Sequence, residues 1–308
     1  MVAAPRRARW LLRLALCALL PWLVGHHSQA GVLRYCDAPA PIDAAGQDRL
    51  FRFAAVIKAE LDRSGHELAL IARAGLDLSR FDQRYSHAGI SLRGSANAPW
   101  SVRQLYYDCD AARPRLFDQG IAGFLLGAAD PALGFVSVVL LPAPAEAPLA
   151  RAVSDNRRSL RLLGTTYSAN AHAFAARYQN CNQWVAEMLA VAWAPLADAD
   201  DLRSDAQRWL QAQGYVPTRF DVGNPLLMWL GGSLPWLHSD DHPAEDLAQQ
   251  RFRVSMPESI EAFVQKAEPL ARRIEFCATA RHIVIRHGWA PLADDCQPGP
   301  QDRVVALD

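Results

Sequence analysis

Apolar and polar residues recur with regular spacing along much of the chain. Between Gln47 and Arg63, Leu50, Phe53, Ala54, Ile57 and Leu61 return at three- and four-residue intervals, which predicts a helix with one buried stripe. His66–Arg73 is short and apolar and predicts a strand. Tyr85–Leu92 and Trp100–Tyr107 predict two more, and the turn-forming stretch 94–99 joins them as a hairpin. Further strands are expected at Arg115–Asp118 and Phe135–Leu141, a loop at Pro142–Pro148, and helices at Ala150–Leu163 and Asn182–Trp193. After Pro195 the elements shorten. Helices are expected at Ser204–Gln213 and Ser255–Ala267, the second opened by Ser255-Met-Pro-Glu258 with capping-box spacing. Arg273–Ala278 and His282–His287 close the chain as a hairpin. Helix, then strands, then helix around a strand-rich middle is the order of an α+β fold with an antiparallel sheet, not of alternating βαβ units. A soft boundary falls near residue 197. Residues 31–197 make the main domain, and 198–308 a helical and hairpin elaboration packed on it.

The first thirty residues have a different character. Arg6, Arg7 and Arg9 precede an apolar run from Leu14 to Val24, and Ser28-Gln29-Ala30 offers small residues for cleavage near Ala30. This is the layout of a secretory signal peptide. The run is about half of the ~20 residues that span a bilayer, which disfavours the other reading, an uncleaved anchor. The expected location is the periplasm or beyond. The residues before Cys17 and Cys36, Leu16 and Tyr35, are too large for lipid attachment.

Composition narrows the function. With 51% hydrophobic and 21% charged residues the chain is globular rather than disordered. Basic and acidic residues number 32 each; loss of the leader's four arginines leaves the mature chain at −4. No basic excess points to nucleic acid. A membrane surface stays open as a partner.

In an oxidising compartment the five remaining cysteines are informative, because an odd number leaves one unpaired. Cys277 and Cys296 are close in sequence and are expected to pair. Cys36 and Cys109 are the second candidate pair, and Cys181 is left over. It lies in Asn180-Cys181-Asn182-Gln183-Trp184-Val185, where an apolar helical stripe begins at Trp184. A cysteine at a helix N-terminus meets the positive end of the dipole and unpaired N–H groups, which favour thiolate and can hold an oxyanion. The other reading is an inert cysteine buried at the start of a core helix. The base for such a nucleophile is His87, in Tyr85-Ser86-His87-Ala88-Gly89-Ile90. Gly89 leaves room beside it, and Gln104 on the next strand is expected to orient the ring. Asn180, Asn182 and Tyr85 are the candidate substrate- or oxyanion-binding groups. The expected geometry is Cys181 sulfur within about 4 Å of one His87 nitrogen, with Gln104 at the other.

Other signals are weaker. G-x-S-x-G, H-E-x-x-H, P-loop, C-x-x-C and dinucleotide patterns are absent. His238-Ser-Asp-Asp-His242 holds metal-ligand types, but Pro235 and Pro243 bracket it and no third ligand accompanies it, so a solvated or capping loop is expected. No metal or cofactor is expected. Trp229 and Trp236, with Leu226, Leu227, Met228 and Leu230, are expected in the core, with a lid over an acyl substrate as the other reading.

The order of these motifs carries a resemblance. A strand with S-H-x-G-I, a second strand with a polar residue, and N-C-x-x-aromatic-V opening a helix resemble the circularly permuted branch of the papain-like NlpC superfamily. The match runs over roughly residues 66–194 in element order. The lecithin:retinol acyltransferase group has N-C-E-H-F-V where this chain has N-C-N-Q-W-V, and V-V-H-L-A where this chain has Val102-Arg103-Gln104-Leu105-Tyr106. Gln183 thus replaces a histidine and Asn182 a glutamate. Most of the mature chain also resembles the bacterial domain-of-unknown-function family 2145, notably at Tyr85–Ile90, Trp100–Tyr107 and Tyr178–Val185. The resemblance implies a secreted Cys–His hydrolase or acyltransferase. It would act through a thioester acyl-enzyme on an envelope amide or acyl ester, with Cys181 as nucleophile, His87 as base and Gln104 as its orienting group. The alternative is a non-catalytic envelope module on the same scaffold.

Overall fold

The computed structural model describes residues 42–126, 134–197, 199–231 and 234–307. The predicted leader, its cleavage site and Cys36 lie outside them. Helix α1 (Ala44–Ser64) starts where Asp43 accepts a hydrogen bond from the Gly46 N–H at 2.7 Å, and ends at Gly65 with φ 76°, a left-handed C-cap that suits glycine. Its buried stripe of Phe53, Ala54, Ile57 and Leu61 is the one the spacing predicts.

The stripe packs on an eight-stranded antiparallel sheet. Its strands are β1 (Leu68–Arg73), β2 (His87–Leu92), β3 (Ser101–Asp108), β4 (Arg113–Gln119), β5 (Gly134–Leu140), β8 (Arg272–Ala278), β9 (His282–His287) and β10 (Arg303–Ala306). The spatial order is β10-β9-β8-β5-β1-β2-β3-β4. A separate two-stranded ribbon joins β6 (Thr218–Asp221) to β7 (Arg251–Val254). Side chains alternate across the sheet. Ile71, Val102, Val138, Phe276 and Ile285 face α1 and the short helix α2 (Ile121–Leu125). Leu70, Ala88, Ile90, Leu105 and Tyr107, also buried, belong to the alternate set, on which helix α5 (Cys181–Trp193) crosses β2 and β3.

Chain beyond residue 197 is woven into this sheet. β8 pairs with β5 from Ala278 opposite Gly134 to Arg272 opposite Leu140, so the expected terminal hairpin continues the central sheet. Cys277 and Cys296 form the expected disulfide, with Cα atoms 5.7 Å apart. Cys109 is also disulfide-bonded, and Cys181 is a free, buried thiol.

Four local expectations are corrected. The Pro142–Pro148 stretch is not a loop but the start of helix α3 (Ala143–Ser154). Pro144 falls in the first turn, where no N–H is needed, and Pro148 forfeits one helical hydrogen bond. The single helix expected at Ala150–Leu163 breaks at Asp155, whose backbone is extended and whose carboxylate caps helix α4 (Asn156–Arg161) through the N–H groups of Arg157 and Arg158. The capping box near Ser255 is shifted by one residue: Met256 is the N-cap of helix α8 (Pro257–Ala267), and Ser259 Oγ accepts from the Met256 N–H at 3.0 Å. Helix α7 (Pro225–Gly231), expected in the core, instead exposes Leu226 (61%), Leu227 (43%) and Trp229 (74%).

Candidate functional site

Helix α5 is buried on every side from Cys181 to Val191, not along one stripe. Such a helix must satisfy its polar residues internally. Glu187 does so in full: it accepts from Gln179 Nε2 and Gln207 Nε2 at 2.6 Å each, and from Arg203 on helix α6 (Leu202–Ala212) at 3.0 Å. Asn180 is the N-cap, its Oδ1 accepting from the Gln183 N–H at 2.7 Å and its Nδ2 reaching Ala169 O at 3.3 Å. Cys181 is thus the first helical residue, one position ahead of the expected start at Asn182.

Asn182 ties this helix end to the histidine strand. The β2–β3 ladder stops at Ile90 opposite Arg103, leaving the start of β2 without that neighbour. Asn182 fills the place of the missing strand: its Oδ1 accepts from the Ala88 N–H at 2.9 Å and its Nδ2 donates to Ser86 O at 3.1 Å. Gly89 permits the close approach of β3, since a Cβ there would lie 2.5 Å from Val102 Cγ1 and 3.0 Å from Arg103 O. The backbone N–H groups of Asn182, Cys181 and Ala88 act to lower the Cys181 pKa.

His87 follows the expected relay on one side. Its Nε2 lies 2.5 Å from Gln104 Oε1, and Gln104 Nε2 donates to Gln119 Oε1 at 2.6 Å. A carbonyl oxygen only accepts, so Nε2 carries the proton and Nδ1 keeps the lone pair. The ring packs against Tyr106 and Phe124, with centroids 5.4 and 5.8 Å away. On its other side the expected contact is missing: among the described residues no hydrogen bond joins His87 to the thiol. Both residues are buried, each 5% exposed. Burial pushes the Cys181 thiol up to about 11, against the pull of the Arg73 charge and the three N–H groups. Burial pushes His87 down to about 3; the Arg73 charge adds to this and the Gln104 hydrogen bond opposes it. The pair therefore rests as thiol and neutral imidazole.

Tyr85 belongs to a different cluster. Its hydroxyl donates to Glu275, which also pairs with Arg84 at 2.8 Å and Arg273 at 3.2 Å, and Arg273 bonds Glu261 at 2.8 Å. The His238–His242 segment is a clasp on the loop that leads into α5. The His238 ring stacks on Tyr178 at 4.3 Å, Tyr178 donates to Asp240 at 2.8 Å, Asp241 accepts from the His172 N–H at 2.8 Å, and His242 Nε2 donates to Asn170 O at 2.8 Å. Among the described residues no group of three or more ligand-type side chains is placed to hold a metal.

Arg73, Phe124 and Gln119 were not singled out from the sequence. Arg73 stands directly opposite His87 in the β1–β2 register, with its guanidinium 5.4 Å from the Phe124 ring centre. Only strand pairing reveals it. A cavity of about 360 Å3 opens at the far end of α5, beside Arg151, Arg158 and Val191. A smaller one, lined by Phe53, Arg73, Leu125 and Phe135, lies on the α1 face. Neither is lined by Cys181 or His87.

These elements define an α+β protein with an antiparallel sheet, a structural disulfide and, among the described residues, one free thiol at the start of a central helix. The family model for DUF2145, an uncharacterized protein conserved in bacteria, matches residues 60–264, and the chain belongs to that family. No curated protein and no solved structure matches it. No helix among the described residues is long and apolar enough to cross a membrane.

Proposed function

We propose that this chain is a non-catalytic binding module of the bacterial envelope, built on a permuted papain-like scaffold. One observation carries the reading: the polar groups expected to meet a substrate are already spent inside the fold. Asn180 caps α5, Asn182 closes the gap beside β2, and Tyr85 serves the Glu275 cluster. The thiol and imidazole between them are buried and neutral. Binding then falls to the surface, where α7 concentrates three exposed large apolar side chains. The partner class is an envelope peptide or lipid. The test is co-sedimentation with purified cell-wall sacculi and with lipid vesicles. Cys181→Ala is expected to bind as the wild type does, and loss of binding in that variant overturns the reading.

A second reading, a Cys–His hydrolase or acyltransferase, is favoured by the three N–H groups at the sulfur and by the free lone pair of His87 Nδ1. In it His87 takes the thiol proton as the sulfur adds to an acyl carbonyl. The imidazolium then protonates the leaving amine or alcohol, and water or an acceptor cleaves the thioester. Turnover requires a state in which the buried pair is open to substrate. Labelling of wild type but not Cys181→Ala by a thiol-reactive acyl probe would establish it.

A further inference from the structure

The loop between Gly164 and Asn180 is held from two sides. The first turn of α5 bonds it from within: Asn180 Nδ2 donates to Ala169 O and Gln183 Nε2 to His172 O, at 3.3 Å each. The 236–242 clasp bonds it from without. Trp236 O accepts from the Ala169 N–H, His238 O from Asn170 Nδ2 and Asp241 Oδ2 from the His172 N–H, all at 2.8 Å. Two imidazoles are enclosed between clasp and loop. His172 and His242 are 8% and 7% exposed, and their rings meet edge to face with centroids 5.3 Å apart. His242 Nε2 donates to Asn170 O, so Nδ1 holds the lone pair, and that atom is buried without a hydrogen-bond partner among the described residues. His172 Nδ1 accepts from the Phe174 N–H at 3.3 Å, so in this ring too Nδ1 is where a proton would land. The charges facing the pair are Asp241 in the clasp, Asp246 just after it, and Arg251 and Arg253 on β7. Asp246 bonds both arginines at 3.0 Å, and Asp241 Oδ1 lies 3.5 Å from His242 Nε2. Burial pushes His172 down to about 4; the His242 ring and Arg253 add to this and Asp246 opposes it. Burial lowers His242 as well, against the pull of Asp241.

We propose that the His172–His242 pair is an acid-sensitive latch: protonation of the buried rings releases the 236–242 clasp from the loop before α5 and uncovers the helix end that carries Cys181. A proton on His172 Nδ1 would set one N–H against the Phe174 N–H that now donates to it. A proton on His242 Nδ1 would bury a donor without an acceptor, and two such rings would be cations 5.3 Å apart. Release lets both rings reach water. A histidine held below its ordinary range takes up a proton on opening, so the closed latch is at full strength above about pH 6.5 and weakens as pH falls toward 4. The latch governs access to the helix end, so it stands or falls apart from either reading of function.

The test is amide hydrogen exchange of the folded full-length chain, read by mass spectrometry at about pH 8 and about pH 5 with the intrinsic exchange rates divided out. For His172 alone, a fall from 6.5 to about 4 predicts an opening equilibrium roughly thirtyfold larger at about pH 5 than at about pH 8. Protection of residues 165–179 is expected to drop by about that factor while α1 keeps its own. His172→Gln still offers an acceptor to Phe174 and His242→Gln a donor to Asn170, but neither side chain takes a proton. The double variant is expected to match wild type at about pH 8 and to lose less than about threefold at about pH 5. NMR titration of the His172 ring in the wild type needs no variant, and its midpoint is expected below about pH 5. A His172 midpoint at or above about pH 6 overturns the proposal. So does a wild-type change under about threefold, a parallel loss of protection in α1, or an undiminished response in the double variant.

Discussion

Replacing Asn182 by alanine tests how the cysteine helix is held to the histidine strand. The side chain is 2% exposed and bonds two backbone groups that no strand reaches, the Ala88 N–H at 2.9 Å and Ser86 O at 3.1 Å. Alanine leaves both without their partner. An unsatisfied buried polar group costs about 1–3 kcal/mol, so the pair predicts a loss of about 2–5 kcal/mol, toward the lower end if water enters the space vacated. For a chain of this size that corresponds to a fall in Tm of about 5–15 °C. Asn180→Ala supplies the control, because loss of an N-cap costs about 1 kcal/mol. Asn182→Asp keeps the acceptor for Ala88 but sets a carboxylate oxygen against Ser86 O, so it is expected to destabilise at least as much. Urea unfolding followed by tryptophan fluorescence measures the loss. Alkylation of Cys181 in native buffer measures whether the helix end opens locally, with a rise of about tenfold or more expected for Asn182→Ala. A loss under about 1 kcal/mol with an unchanged alkylation rate would refute the reasoning, since the bridge would then not be what closes the gap beside β2.

Three further outcomes are expected. Burial raises the Glu258 carboxyl to about 7, although the N–H groups of Arg84 and Tyr85 bond it, so the folded state prefers its protonated form. That contribution is complete below about pH 4.5 and is lost as pH rises toward 7, so Glu258→Gln should gain Tm relative to wild type across that window and hold the gain above it; a difference flat with pH contradicts this. The Cys277–Cys296 bond closes a sequence separation of 19, for which the chain-entropy relation gives about 3 kcal/mol at 25 °C. The Cys277→Ser, Cys296→Ser double variant should lose about that much in urea unfolding, and a loss below about 1 kcal/mol would show the loop already held by packing. Gly89→Ala would place a Cβ 2.5 Å from Val102 Cγ1 and 3.0 Å from the Arg103 carbonyl, so it is expected to cost about 1–3 kcal/mol in calorimetry, and a wild-type Tm would mean that β2 and β3 part freely.

The elements that sequence spacing located are those whose causes are local. The stripe of α1 repeats within one helix, and Asn180 caps α5 through the N–H three residues on. The Cys277–Cys296 pair is close in sequence. Misread elements turned on competing local signals: prolines at 142, 144 and 148 read as a loop although two of them suit a helix start, and Asp155 looked like one more helical residue until its carboxylate capped the next helix. What was not legible depends on distant pairing. Nothing near Arg73 indicates that it will stand opposite His87, and nothing in the last forty residues announces that β8 will join β5.

Asn182 shows most clearly why a motif read along the chain gives the place but not the work. In N-C-N-Q-W-V the positions after the cysteine look available to a substrate, because a helix end usually presents its first turn to solvent. Here α5 is enclosed on all sides, so Asn182 and Gln183 must find partners within the fold. Asn182 meets the edge of β2, and Gln183 Nε2 reaches the carbonyls of His172 and Ala175 at 3.3 Å each. A charged glutamate at 182 would hold a second acceptor oxygen against Ser86 O and place a negative charge beside the sulfur. An amide instead matches one donor and one acceptor on the strand. Burial of the helix thus commits Asn182 to the β2 edge and Gln183 to the loop that precedes the helix, and leaves neither amide exposed to a substrate.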